Sequence, residues 1–206
     1  MVRSRISCFK RRLVFVWVVP LLLLGMYQTF VFGGSAPVEK TGQIISYSGG
    51  DDGDLKKGVA WPNPRFKDNG NGAVTDNLTK LIWLKNANAF GKLTWEQALA
   101  NANALASGSH GLTDGSKAGD WRLPNTNELQ SLIDFAYSSP ALSNTYGKGQ
   151  WVNGDAFIGV RSGDYWSSTT CSSNTAGACD VSLDDGNVSG VNKTGTYCVW
   201  PVRAGQ

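Results

Sequence analysis

A 20-residue apolar run near the N-terminus, residues 13–32, constrains this chain more than any other feature. Only Pro20 and the Gln28-Thr29 pair interrupt it. Five Lys and Arg residues precede the run and none follows directly, a distribution that places the N-terminus in the cytoplasm and the remainder outside. We therefore predict that residues 1–36 form a targeting segment and that the rest of the chain is exported.

The targeting segment is either cleaved or retained as a membrane anchor. Gly34 and Ala36 place small residues at the −3 and −1 positions of a signal-peptide cleavage site, so cleavage after Ala36 would release the protein. The apolar run is also long enough to span a bilayer, so an uncleaved segment would anchor the chain through residues 13–32. The predicted location is accordingly the cell envelope, membrane-anchored or periplasmic, or the medium.

The charge of the exported part excludes one class of partner. After the five basic residues before the run are set aside, 14 Lys and Arg stand against 16 Asp and Glu. A mildly acidic chain has no bulk attraction for nucleic acid, and the only basic cluster is Lys56-Lys57. We predict no nucleic-acid partner. About 170 residues remain, a normal size for a single domain.

The exported part divides into a polar lead-in and a domain. Residues 37–60 are rich in Gly, Asp, Ser and Lys with little periodicity, which indicates a linker or ordered coil before a domain at 61–206. Asn-Gly steps within residues 68–72 favour the positive φ angles of a tight turn and predict a β-hairpin there. The short apolar run at 81–84 predicts a buried strand.

Two amphipathic helices are predicted next. Thr94 and Gln97 have the spacing of a capping box, and apolar residues then recur at helical spacing, predicting a helix over 95–106. Asn125 and Glu128 repeat that arrangement before a second apolar stripe that continues to about Tyr137. Each helix has one apolar face, which predicts packing against a sheet.

The remainder of the chain predicts short antiparallel strands and hence an α+β domain. These strands are expected as a meander over residues 165–169, 180–183, 187–191 and 197–203. Val181, Leu183 and Val188 alternate with short polar residues, so the polar side chains should share the opposite, solvent-facing side of the sheet. Such residues are typical of recognition surfaces, although a plain solvated sheet has the same pattern.

Three cysteines fall in the last 36 residues: Cys171, Cys179 and Cys198. Because an exported protein meets oxidising conditions, we predict one local disulfide and one spare thiol. A metal site is not predicted, since one His and no C-x-x-C pair give too few ligands, and no cofactor is expected.

Six sequence blocks together resemble the Lcl C-terminal domain family, a bacterial family of unknown function. In order they are Asp68-x-Gly-x-Gly-x-Val-Thr-Asp76, Leu81-Ile-Trp83, Leu93-Thr-Trp95-x-x-Ala98, Asp120-Trp-Arg-Leu-Pro124 with Glu128-Leu129, Tyr165-Trp-Ser-Ser-Thr169 and Val199-Trp-Pro-Val-Arg203. The resemblance covers about residues 41–206 and implies a fold like that of C-type lectins and formylglycine-generating enzymes. In the collagen-like adhesin that names the family, this domain binds sulfated polysaccharides, but the weakly acidic charge here argues against that ligand.

Some members of this family are similar to the variable proteins of diversity-generating retroelements, in which adenine-directed mutagenesis rewrites codons near the 3′ end. This similarity implies a set of variable, ligand-binding positions and offers a second explanation for the scattered cysteines, without any disulfide. The positions are Cys171, Gly177, Cys179, Asp180, Ser182, Asn187, Ser189, Thr196 and Cys198. Relatives also carry cysteines at the positions of Ala89 and His110. If these form a disulfide in the relatives, this chain has lost it, and the loop over residues 86–117 is expected to be less rigid.

Candidates for catalysis are few. His110, the only histidine, lies in a Gly- and Ser-rich stretch that does not fix a Ser or Cys nucleophile beside it, and Asp184-Asp185 precede a glycine at a predicted turn. We therefore predict that the chain is not an enzyme. We predict an exported, lectin-like or adhesin domain that binds an extracellular glycan or protein through its C-terminal strand face. The alternatives are a structural envelope protein and a cryptic enzyme related to formylglycine-generating enzymes.

Overall fold

The structure is a computed structural model, and it describes residues 38–204. Across those residues no helix has the length and apolar character needed to cross a membrane. Residues 1–36, for which either a cleaved signal or an anchor is predicted, lie outside the described part of the chain, so the export prediction stays a prediction.

The described residues form short helices and two antiparallel-rich sheets, which confirms the α+β class. The elements are α1 (Asp52–Leu55), β1 (Phe66–Asp68), β2 (Ala73–Asp76), β3 (Ile82–Leu84), β4 (Lys92–Leu93), α2 (Trp95–Ala104), α3 (Thr126–Gln130), β5 (Asp164–Thr170), β6 (Gly177–Ser182), β7 (Val188–Asn192), β8 (Tyr197–Cys198) and β9 (Val202–Arg203). One sheet has the order β1-β2-β3-β9 and the other β4-β8-β5-β6-β7. The lead-in contains α1 and touches the rest of the chain, because the Trp61 indole donates to the Lys40 carbonyl at 3.1 Å.

The predicted hairpin is the first half of the four-stranded sheet. β1 and β2 pair antiparallel with Lys67 opposite Thr75, and β3 is buried along its whole length. Gly70 and Gly72 have φ angles of 73° and 84°, the left-handed region that glycine adopts without strain. A Cβ at Gly72 would also lie 2.2 Å from the Gly111 carbonyl oxygen, so the turn needs glycine for close packing as well.

The predicted final strand is wrong in one respect: residues 197–203 divide into β8 and β9, which belong to different sheets. Val199, Trp200 and Pro201 pass between the sheets and are buried, and Pro201 has no amide to donate to a ladder. β8 also pairs parallel with β5, at Tyr165 opposite Cys198, so only β5, β6 and β7 form the predicted antiparallel meander.

The first helix is confirmed, and the second is much shorter than predicted. In α2 the Gln97 side chain accepts from the Thr94 amide at 3.2 Å, as the capping box requires. α3 ends at Gln130 rather than near Tyr137. Ile133 instead forms a β-bridge with Leu142. Leu129, Leu132 and Ile133 of the predicted stripe are buried, and Ala136 is half-buried. The apolar stripe thus correctly predicted which residues are mostly buried, but its helical spacing wrongly predicted a helix beyond Gln130.

Tryptophan side chains fill the core. Within residues 38–204 the fully buried indoles are Trp83, Trp121, Trp166 and Trp200. The Trp200 indole donates to the Leu84 carbonyl at 2.8 Å, and its ring meets Trp83 and Phe157 edge-on at centroid distances of 5.5 and 4.9 Å. Edge-to-face packing adds about 0.5–1.5 kcal/mol per pair beyond area burial. The segment between β8 and β9 therefore joins the two sheets through a shared aromatic centre.

Candidate functional site

An open pocket of about 380 Å³ lies over the β6–β7 hairpin, beside the connection from β5 to β6. We call it the β6–β7 pocket. Its lining residues are Cys171, Ser172, Ser173, Asn174, Gly177, Cys179, Val188, Ser189 and Gly190. None of these nine side chains is charged, and most are small.

Backbone hydrogen bonds fold the β5–β6 connection into a compact rim for this pocket. The Cys171 amide donates to the Gly177 carbonyl at 3.1 Å, and the Gly177 amide donates to the Asn174 carbonyl at 2.9 Å. Lys193 ties the rim to the sheet, since its ammonium donates to the Thr170 hydroxyl at 2.9 Å and to the Thr175 carbonyl at 3.0 Å. The rim is therefore held at both ends, while Ser172, Ser173 and Asn174 are exposed.

The floor of the pocket follows from strand register. Cys179 stands opposite Gly190, and Val188 is two residues before Gly190 in β7, so these three residues point to one face of the hairpin. A Cβ at Gly190 would lie 2.9 Å from the Cys171 sulfur. The missing side chain at this position thus makes room for Cys171 to extend over the strands.

Hydroxyl groups fix β6 to the neighbouring elements. The Ser167 hydroxyl donates to the Cys179 carbonyl at 2.6 Å and lies 3.0 Å from the Thr126 hydroxyl at the start of α3. α3 is itself held by Arg122, whose guanidinium donates twice to the Glu128 carboxylate, at 2.7 and 2.6 Å. The strand that carries Cys179 is therefore part of a rigid unit.

Two of the three cysteines meet at the pocket. All three are thiols, with 3.1 Å between the Cys171 and Cys179 sulfur atoms. The hydrogen bond between the two thiols, with some burial, raises the pKa of the Cys179 thiol. Cys198 is buried in β8, on the other side of β5 from β6, and burial raises its pKa.

The predicted solvent exposure of Asp180 is wrong. This side chain is 2% exposed, because it lies on the same face as Trp166, its partner across β5 and β6, where Ala98 and Ala102 of α2 help form a second core cluster. The Ser189 hydroxyl donates to its Oδ1 at 2.7 Å. Burial raises the pKa of Asp180, and this hydrogen bond opposes the rise. The alternation of apolar and polar residues along β6 assigned Asp180 to the correct face of the sheet. It could not show that α2 packs on this face.

Of the nine sequence-predicted site residues, four line the β6–β7 pocket: Cys171, Gly177, Cys179 and Ser189. Besides Asp180, four others lie elsewhere. Ser182 ends β6 half-buried, Asn187 is exposed in the turn before β7, Thr196 is exposed before β8, and Cys198 is buried. Sequence reasoning missed the rim residues 172–174, although a Ser-Ser-Asn stretch between two predicted strands is a turn signal.

The catalytic candidates do not converge on the pocket. His110 has a φ angle of 48° and stacks on Phe90 at 4.3 Å, beside a separate open space of about 460 Å³ that Lys85 and Asn86 also border. Between residues 38 and 204, no group of three or more His, Cys, Asp or Glu side chains is arranged to hold a metal ion.

The chain matches a known protein family. The sequence model described as Lcl C-terminal domain matches residues 72–203, more than half of the chain. This range begins in the turn before β2, ends in β9 and includes every residue of the β6–β7 pocket. No curated protein matched the chain in a sequence search.

Proposed function

We propose that this chain, which belongs to the Lcl C-terminal domain family, is an exported binding domain that recognises an extracellular glycan or protein through the β6–β7 pocket. One observation carries the proposal. Four residues singled out by sequence, from two strands and a loop, line a single open pocket on a scaffold of buried tryptophans. Pockets with a few placed polar groups on rigid elements are the usual form of a binding site.

The lining favours an uncharged ligand. Ser172, Ser173 and Asn174 offer hydroxyl and amide groups that can donate or accept, and Val188 adds a half-buried apolar contact. A sulfated polysaccharide needs clustered Arg and Lys, which the lining does not contain. Neutral saccharides and uncharged peptide segments fit this chemistry better.

The proposal extends to architecture and origin. Two sheets of short strands with long connections are compatible with a lectin-like fold related to formylglycine-generating enzymes. Exposed Asn187 and Thr196 could vary without loss of packing, whereas buried Asp180 and Cys198 could not. Ser189 is also constrained, because its hydroxyl donates to Asp180. If a retroelement diversifies this gene, we expect variation among copies at Asn187 and Thr196. Flanking DNA with neither a reverse-transcriptase gene nor an imperfect repeat of the 3′ end would refute diversification by a retroelement.

The binding proposal is tested with the full chain on arrays of neutral glycans, sulfated glycans and extracellular proteins. Ser172→Arg fills the exposed rim with a bulky charge, and Ser162→Arg makes the same change at an exposed serine outside the pocket. We expect binding that Ser172→Arg removes and Ser162→Arg retains. A folded chain that binds nothing would support the structural-protein alternative. Binding that Ser172→Arg does not affect would refute the assignment of the β6–β7 pocket as the binding site.

A further inference from the structure

The two cysteines of the β6–β7 pocket are placed for a covalent link. Their sulfur atoms are 3.1 Å apart in a pair of residues separated by eight positions. We propose that Cys171 and Cys179 are a disulfide site, and that oxidation closes the β5–β6 connection into a covalent loop. Cys198 is then the spare thiol.

The geometry favours a disulfide over a metal bound by two thiolates. Tetrahedral zinc with Zn–S bonds of about 2.3 Å holds its sulfur ligands about 3.8 Å apart. The sulfur atoms of Cys171 and Cys179 are closer than that. A structural zinc site also takes four protein ligands, and no third His, Cys, Asp or Glu side chain joins this pair within residues 38–204.

Local structure holds both partners in place without the bond. The Cys171 backbone is fixed by its amide hydrogen bond to Gly177, and the Cys179 backbone is fixed by the Ser167 hydroxyl. Gly190 leaves the space that the Cys171 sulfur occupies. Because both cysteines are half-buried at the rim of an open pocket, a small oxidant can reach them, whereas Cys198 is covered.

The reaction requires a disulfide oxidant such as a small-molecule disulfide. The Cys171 thiolate attacks the oxidant, forming a mixed disulfide and releasing one thiol. The Cys179 thiolate then attacks the Cys171 sulfur, forming the protein disulfide and releasing the second thiol. Two protein thiols are oxidised, one oxidant disulfide is reduced to two thiols, and the two protons lost by the cysteines are carried by those thiols.

Tryptic mapping tests this directly on the full chain. Cleavage after Arg161 and Lys193 places Cys171 and Cys179 in one peptide, while Cys198 falls in residues 194–203 and Cys8 in residues 6–10. After incubation with oxidised glutathione, denaturation and alkylation, we expect peptide 162–193 two hydrogens lighter than its reduced form and unlabelled. Reduction before alkylation should add two labels. Two labels without reduction, or a stable glutathione adduct on either cysteine, would overturn the proposal.

Two variants separate this geometry from general thiol reactivity. Cys179→Ser leaves no resolving thiol, so the glutathione adduct of Cys171 should accumulate. Gly190→Ala places a methyl group in the space of the Cys171 sulfur and should slow ring closure several-fold without changing labelling of Cys198. Closure at the wild-type rate in Gly190→Ala would contradict the proposed arrangement. None of these results depends on a ligand, so they stand or fall separately from the proposed function.

Discussion

Removal of the Ser189 hydroxyl should destabilise the domain. Ser189 is exposed, but Asp180, which accepts its hydrogen bond, is buried. Asp180 is 2% exposed and accepts from Ser189 at 2.7 Å. A hydrogen bond to a charged group contributes about 1.5–3 kcal/mol. Water can partly replace a donor at the surface, so we expect Ser189→Ala to cost about 1–2 kcal/mol. For a domain of this size, that lowers Tm by about 2–8 °C.

The pH dependence of this cost has a definite sign. Burial raises the pKa of Asp180, so its contribution to stability is greatest while the carboxyl is protonated and declines as pH rises through its folded pKa. Ser189 opposes that rise, so Ser189→Ala should raise the pKa further, and its cost should grow from acidic to neutral pH.

Thermal and urea unfolding of the full chain, followed by circular dichroism, measure both effects. In an Asp180→Asn background the same Ser189→Ala change should cost about half as much, because neutral hydrogen bonds are roughly half as strong as charge-assisted ones. Ser173→Ala, an exposed serine at the same pocket, is the control and should change stability by less than about 0.5 kcal/mol. Equal costs for Ser189→Ala and Ser173→Ala would refute the assignment of Asp180 as a buried, hydrogen-bonded carboxylate.

Three further predictions concern stability. Burial raises the pKa of Glu39 to about 7, although the charge of Arg65 opposes this rise. Protonated Glu39 therefore contributes to the free energy of unfolding at low pH, and this contribution is lost as pH rises from about 4.5 through 7. Because the Glu39 side chain is 34% exposed and solvent screens its charge, we expect a loss of about 1–2 kcal/mol. Glu39→Gln should remove most of the decline in Tm over this pH range. Trp200→Phe leaves the buried Leu84 carbonyl without its donor and opens a cavity, and should cost about 3–5 kcal/mol by urea unfolding; a cost under about 1 kcal/mol would contradict a central role for Trp200. Oxidation of Cys171 and Cys179 closes a loop of eight residues and should raise Tm by about 5–10 °C, near 2.5 kcal/mol, an effect absent in Cys179→Ser.

Local sequence patterns predicted the elements that are specified locally. The Asn-Gly steps around Gly70 demand positive φ angles, and the Thr94–Gln97 spacing satisfies a free amide within one turn, so neither depends on distant residues. α3 shows the limit of such reasoning. Most of its apolar stripe is buried, but Ile133 pairs with Leu142 instead of continuing the helix, and sequence spacing does not reveal that partner.

The candidate site was predicted only in part for a related reason. Alternation along β6 and β7 correctly placed Asp180 with Ser189 and Val181 with Val188. Which face is covered depends on α2, which is about 80 residues earlier in the chain. The pocket also depends on the absence of a side chain at Gly190, and a glycine in a strand has several possible explanations until its neighbours are known.

The most direct test of a binding function for the β6–β7 pocket is a ratio of dissociation constants. Once a ligand is found, its Kd is measured by calorimetry for the unmodified chain, Ser172→Arg and Ser162→Arg. An arginine that blocks the pocket should weaken binding at least tenfold, about 1.4 kcal/mol, at position 172 and leave it unchanged at position 162. Equal Kd values for all three proteins would place the ligand elsewhere and contradict the account.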